Sequence, residues 1–159
     1  MIVQIEFVPM DRVPIERYIE LNTHPEVRRL MPLASESLSE AECRAWVTGK
    51  CAQWEENGYG PLAILVEGEF AGWGGLQKHH DDADLGLVLH PRFWGFGPSV
   101  ARRMIEFAFQ SLDVPSLIVL LPPARTRTRA LLRAGFVRDG EEEIGGNVFL
   151  RYRLHRTAS

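Results

Sequence analysis

The chain has 159 residues, 45% of them hydrophobic and 25% charged, and a formal net charge of −3 at pH 7. That is the make-up of one globular domain with a sizeable core, and its mild acidity offers no basic patch of the kind that nucleic-acid binding requires. No apolar run reaches the roughly 18–20 residues that span a bilayer, residues 1–7 lack the basic region and long apolar core of a signal peptide, and Cys43 and Cys51 give neither a disulfide framework nor a zinc spacing, so no membrane partner and a reducing, cytoplasmic setting are expected.

Val3, Ile5 and Phe7 alternate with Gln4 and Glu6, the pattern of a strand with one buried face, and Pro9 ends it. Asp11 is placed to cap a helix with Pro14 in its first turn, where a missing N–H costs little. That helix carries Ile15, Tyr18, Ile19 and Asn22, and a short helix over residues 25–30 follows until Met31-Pro32 breaks it. Ser39 with Glu42 three residues on is a capping-box signature. It predicts a helix running to about Glu56 and stopped by Asn57-Gly58. The apolar stripe of that helix is Cys43, Trp46, Val47, Cys51 and Trp54, which makes both cysteines small core residues rather than nucleophiles.

Pro61–Val66 is a continuous apolar run, expected as a buried strand. Glu67-Gly68-Glu69 turns into a second strand over residues 70–76. Gly72, Gly74 and Gly75 lie inside it, and glycine in a strand interior marks a bulge or a close backbone approach. Lys78-His79-His80-Asp81-Asp82 reads as an exposed polar turn. Consecutive residues on such a turn do not preorganise metal ligands, and no second cluster in the sequence completes a shell, so no metal is expected. A third strand, beginning near Ala83, completes an antiparallel meander.

On that strand Leu85, Leu87 and Leu89 alternate with small or polar neighbours, and His90-Pro91 stops it. Val100, Met104, Ile105, Phe107, Ala108 and Phe109 then recur at helical spacing. The segment Arg92-Phe93-Trp94-Gly95-Phe96-Gly97 is therefore a turn feeding a helix N-terminus. Such an end has unpaired N–H groups and about half a positive charge. Glycines let the backbone approach a ligand and take positive φ cheaply. Together these features suit an anion, most naturally phosphate; the same spacing also suits a tight strand-to-helix turn with no ligand.

A buried strand over residues 115–121 follows, and strand, helix, strand is the crossover of a parallel pair. Pro122-Pro123 opens a helix over residues 124–134, closed by Gly135. Strands over residues 136–143 and 148–154 flank the Gly145-Gly146-Asn147 turn. The order β-α-α-α-β-β-β-α-β-α-β-β predicts one α+β domain over residues 1–159. Its central sheet is mixed and mostly antiparallel, with about seven strands and four to five helices.

In this frame, Arg92-x-x-Gly95-x-Gly97 resembles the pyrophosphate-binding motif of the GNAT superfamily of N-acetyltransferases. Ala83-Asp84-Leu85-Gly86 and Leu131-Leu132-Arg133-Ala134-Gly135-Phe136 match as well, and Leu21-Asn22-Thr23-His24-Pro25-Glu26-Val27 resembles the ribosomal-protein N-terminal acetyltransferase branch. The resemblance implies a three-layer domain with acetyl-CoA, or a related acyl-CoA, as co-substrate. It places the pyrophosphate on N–H groups from about Trp94 to Ser99, across Gly95, Phe96 and Gly97, with Arg92 at the motif's basic position. It lays the pantetheine arm along the open edge of Leu87-Val88-Leu89, like an added strand. Splaying of that strand would free N–H groups for the oxyanion, an effect worth about 3 kcal/mol per donor.

An aliphatic amine with a pKa near 10 is mostly protonated at pH 7, so its attack calls for a general base. Asp84 is the candidate, its other reading being a surface carboxylate at a strand end; His79 and His80 are weaker alternatives. Aligned on Gly135-Phe136, Ala124 and Arg127 stand where many relatives carry an Asn and this branch a Ser, both touching CoA. Leu131 stands where many carry a Tyr that protonates the leaving thiolate, and Pro98 removes one N–H from the cradle. Arg125, Arg127 and Arg129 could pair with CoA phosphates or form a solvated basic face. By the same resemblance Asn22, Met31, Trp46 or Trp54 could face the acceptor. The implied activity is direct acetyl transfer from acetyl-CoA to a primary amine, of a small molecule or a peptide N-terminus. The alternative is a non-catalytic acyl-CoA-binding or protein-interaction module on the same scaffold. The sequence leaves the assembly state open, a homodimer included.

Overall fold

A computed structural model describes residues 2–31, 37–123 and 128–157. Its seven strands are β1 (Ile5–Val8), β2 (Pro61–Val66), β3 (Glu69–His79), β4 (Asp82–Leu89), β5 (Ser116–Leu121), β6 (Val137–Ile144) and β7 (Asn147–His155). They form one sheet in the order β1-β2-β3-β4-β5-β7-β6. The β4–β5 pair is parallel and the other pairs are antiparallel. The hairpin β6–β7 thus folds back so that its second strand, not its first, joins β5.

Helices cover both faces, giving the expected layered α+β domain. One face packs Leu85, Leu89, Leu117 and Val119 against Val100, Met104 and Ala108 of α4 (Gly97–Ser111). The other packs Ala63 and Trp73 against Tyr18 and Leu21 of α1 (Ile15–Thr23), Val27 of α2 (Pro25–Arg28), and Cys43 and Val47 of α3 (Glu40–Asn57). Cys43 is fully buried, as a core residue should be, and its thiol points at the Ile15 carbonyl. Among the described residues no helix is long and apolar enough to cross a membrane.

Local signals explain most of the boundaries. The α3 capping box is complete: Glu42 N–H donates to Ser39 Oγ at 3.1 Å and Ser39 N–H donates to Glu42 Oε1 at 3.2 Å. Gly58 ends that helix in the left-handed conformation at φ 77°. The glycines of β3 answer to close approach: a Cβ at Gly72 would lie 2.0 Å from the Val88 carbonyl oxygen, and one at Gly74 would lie 2.6 Å from that of Gly86. A register shift between Ile64 and Leu65 of β2 accompanies them.

Four expectations need correction. Asp11 caps nothing; it lies inside a 3-10 turn, Met10–Arg12, and α1 starts after Pro14. The short helix ends at Arg28 rather than 30, with the His24 side chain accepting from Glu26 N–H at its start. The polar turn at Lys78–Asp82 shrinks to His80-Asp81, because β3 extends through His79 and β4 begins at Asp82. The helix expected over residues 124–134 is described only as α5 (Arg129–Arg133); Ala124, Arg125 and Arg127 lie outside the described residues. Gly135 does close it, at φ 103°: Phe136 N–H reaches Leu131 O and Gly135 N–H reaches Leu132 O.

Candidate active site

The seam between β4 and β5 gives the site its shape. Their pairing covers Ala83 with Leu117 and Asp84 with Ile118, and goes no further. Beyond it β4 stays paired with β3 through Leu89, and β5 stays paired with β7 through Leu121. A wedge therefore opens along residues 85–89 with Asp84 at its apex.

Alternation decides which backbone groups face that wedge. His90 N–H donates to Ala71 O at 2.8 Å, so the even-numbered residues of β4 turn their amides toward β3. Leu87 and Leu89 consequently turn theirs toward the wedge, while Val88 turns away. The Leu89 carbonyl accepts the Trp94 indole N–H at 2.8 Å. Of the expected edge, Leu87 and the Leu89 amide remain to meet a ligand.

The motif itself is more regular than a loop. Residues Pro91–Phe96 form a 3-10 helix that runs straight into α4. Gly97 has φ −50° and ψ −51°, so neither strain nor a positive φ explains the glycine there. What Gly95 and Gly97 supply is space: a Cβ on either would meet nothing within 4 Å. The cradle is narrower than expected. Phe93 N–H donates to His90 O, Gly97 N–H donates to Trp94 O, and Pro98 has no N–H. Ser99 sits in the first turn of α4, directly after the 3-10 helix. The Arg92 guanidinium lies over the Phe93 ring and 3.4 Å from both carboxylate oxygens of Glu69, on the β3 side of the turn.

At the apex, Asp84 points to the α3 face of the sheet, opposite Gln77 of β3. Burial pushes its carboxyl up to about 6, helped by Glu142 and opposed by His79 and Lys50. Lys50 of α3 donates to Gln77 Oε1 and lies 5.6 Å and 5.2 Å from the rings of Trp46 and Trp73. Burial pulls its ammonium down, against the pull of Asp84. Lys50 and Gln77 went unnoticed in the sequence, although Lys50 sits three residues after Val47 and four before Trp54, on the inward stripe of α3.

The other singled-out residues divide between lining and scaffold. Trp46 and Trp73 stack edge to face with centroids 5.0 Å apart beneath Lys50, and Asn22 accepts the Trp73 indole N–H at 3.0 Å. Trp54 instead donates to Pro61 O at 3.0 Å at the start of β2, and Met31 packs beside the α1–α3 core. Leu131 packs against the α4-side core. His79 is not on a loose turn: it ends β3 and meets Glu142 of β6, with His80 beside it. The sequence could not supply that third group, because Glu142 arrives through a pairing 63 residues away.

A layered α+β domain whose central sheet parts between two parallel strands, with a helix start beside the opening, is shaped to clasp an extended ligand. The chain belongs to the family described as the acetyltransferase (GNAT) domain, whose model matches residues 4–137. It is 26% identical over 129 residues to the FsC-acetyl coenzyme A-N(2)-transacetylase of Aspergillus fumigatus, a match covering 72% of this chain and 54% of that protein. The chain thus spans about half the length of that curated relative. An acetyltransferase from Agrobacterium tumefaciens shares the fold at TM-score 0.77 and 19% identity, over 98% of this chain and 95% of that one. So does spermidine N-acetyltransferase from Vibrio cholerae, solved with CoA and spermine, at TM-score 0.74 and 13% identity over 96% and 95%.

Proposed function

We propose that the chain moves an acetyl group from acetyl-CoA to a primary amine by direct transfer. The observation that carries this is the β4–β5 seam, paired at Ala83 and Asp84 and open beyond them. The diphosphate sits at the start of α4, around Gly95, Gly97 and Ser99, where side-chain space is empty. From there the pantetheine arm runs back along β4 as an added strand, bonded to Leu87 and the Leu89 amide. Four residues of strand span about 13 Å, which brings the acyl end to Asp84.

There the amine nitrogen attacks the thioester carbonyl carbon, the C–S bond breaks, and CoA leaves as its thiolate. Asp84 takes the amine proton. A carboxylate held at about 6 suits this task better than an ordinary aspartate, because a base works best with a pKa near the operating pH. The N–H of Leu87, aimed into the wedge, is the oxyanion donor. Leu131 has no proton to give, so the thiolate is protonated from elsewhere, and the step uses no metal. Arg127 adds positive charge for the CoA phosphates from outside the described residues. The Leu21–Val27 segment, at the end of α1, favours a peptide N-terminus among acceptors, and the free thiols of Cys43 and Cys51 fit a cytoplasmic setting.

The test is release of CoA thiol with a panel of amines: N-terminal peptides, polyamines and aminoglycosides. One class should turn over well above the others. A flat response, with CoA still raising the melting temperature, would leave a binding module instead. Ligand at a hundred times its dissociation constant adds about 2.7 kcal/mol of stability, so that outcome is easily seen.

A further inference from the structure

At the far end of β3 from the helix start, two imidazoles converge on one carboxylate oxygen. His79 Nε2 lies 2.5 Å from Glu142 Oε1, and His80 Nε2 lies 3.5 Å from the same atom. The three groups come from the end of β3, the two-residue turn after it, and β6. One ligand atom from each falls within 4.8 Å of the others. An ordinary ion pair needs one histidine; here a second ring is brought to the same oxygen. His80 opens the two-residue hairpin turn at φ 55°, as Glu67 does at φ 51° between β2 and β3, and the turn puts its ring beside that of His79.

We propose that His79, His80 and Glu142 form a site for a divalent transition metal of the zinc class. Two imidazoles and a carboxylate are a ligand set that zinc and its neighbours take, with the fourth position left to solvent. The spacing suits it: two ligands on a tetrahedral zinc, each about 2.0–2.1 Å from the ion, sit about 3.3 Å apart. Occupation therefore requires His79 to back away from Glu142 by less than 1 Å, while His80 is already close to that spacing from the same oxygen.

The surroundings fix the carboxylate. Arg151 Nη1 donates to Glu142 Oε2 at 3.3 Å, which reserves Oε1 for the imidazoles and supplies the outer-shell support that metal ligands commonly have. The nearby Asp82 is not a fourth ligand, since Arg153 holds both its oxygens at 2.7 and 3.1 Å. The side chain of His80 is 78% exposed, so an ion can enter from solvent. The site does not need the transfer step to form, but the two are neighbours: the Asp84 carboxyl feels the charge of both His79 and Glu142.

The experiment is titration of the untagged 159-residue chain with Co2+, followed by its visible absorption and by calorimetry. One equivalent should bind with the intense d–d bands of a four- or five-coordinate ion, and Zn2+ should displace it. His80→Asn keeps a residue that tolerates the turn, and Glu142→Gln keeps the shape of the side chain. Each should weaken Co2+ at least tenfold without altering the circular dichroism spectrum. His24→Ala, in the His24–His90 pair, should leave the Co2+ affinity unchanged. Absence of binding, binding with octahedral bands only, or equal affinity in the His80→Asn chain would overturn the site.

Discussion

The two flanks of β4 show opposite uses of the same backbone. Toward β3 the strand is zipped from Asp82 to Leu89, and the approach is so close that Gly72 and Gly74 have no room for a side chain. Toward β5 the pairing stops after Asp84, and the glycines that follow the strand, Gly95 and Gly97, border empty space. Glycine on the first flank serves the fold; on the second it leaves room, which the proposed function gives to a ligand. The sharpest way to break that contrast is to put the same side chain on both.

Gly72→Val should have the largest effect. Its Cβ would press on the Val88 carbonyl, a backbone atom that cannot move aside without opening the β3–β4 ladder. Overpacking of this kind costs about 3 kcal/mol or more, a drop of about 6–12 °C in melting temperature for a domain of this size. A valine variant that melts with the wild type would show that the ladder is looser than the contacts imply.

Asp84→Asn comes next and probes the apex, where the flanks meet. Loss of a general base commonly costs about 100-fold or more in turnover, with CoA affinity held within about twofold because the wedge is unchanged. The pH profile separates base from bystander. Only the carboxylate accepts a proton, so kcat/KM should fall as pH drops through about 6, and the variant should lack that limb. A second consequence has a fixed sign. Because the folded value is raised, the stability linked to this proton is present below about 3.8 and is lost as pH rises through about 6. An acid limb near 4, or an unchanged rate in the variant, would remove Asp84 from the step.

How much of this was readable beforehand divides along the same line. Signals that act within a few residues came through: the Ser39–Glu42 box, the stop at Gly58, the Gly145-Gly146 turn, and the strand–turn–helix frame of Arg92 to Gly97. The element order followed from them. What stayed hidden was set by partners distant in the chain. Nothing local says that β7 rather than β6 lies beside β5, that Glu142 meets His79, or that Lys50 and Gln77 face Asp84. Nor does spacing reveal that the motif's amides are partly used within a 3-10 helix, since that depends on how His90 and Trp94 fold back. Asp11 misled for the same reason: with Pro9 and Pro14 on either side of it, the chain closed a 3-10 turn instead of waiting for a helix to cap.

Gly97→Val is the counterpart of Gly72→Val and the third effect in size. Gly97 has helical φ and ψ and free space around its Cβ position, so the protein should fold and melt within about 2 °C of wild type, valine costing a helix only a few tenths of a kcal/mol more than average. CoA should bind at least tenfold more weakly, measured by calorimetry or by the loss of its thermal shift. If affinity is unchanged, the open space beside α4 is not where the diphosphate lies.

The smallest effect tests whether the open flank is open along its whole length. Trp94 closes the outer end of the wedge by giving its indole N–H to the Leu89 carbonyl, yet the residue is 38% exposed. Trp94→Phe keeps most of the ring and removes the donor. The net worth of one such bond is about 1 kcal/mol or less, and water can reach the freed carbonyl, so the melting temperature should fall by no more than about 2–4 °C. The informative readout is CoA affinity. If the added strand ends at the Leu89 amide, the carbonyl has no part in it and affinity should change less than threefold. If the strand extends one group further, the freed carbonyl becomes an acceptor and CoA should bind more tightly, placing Trp94 as a competitor for that edge rather than its end stop.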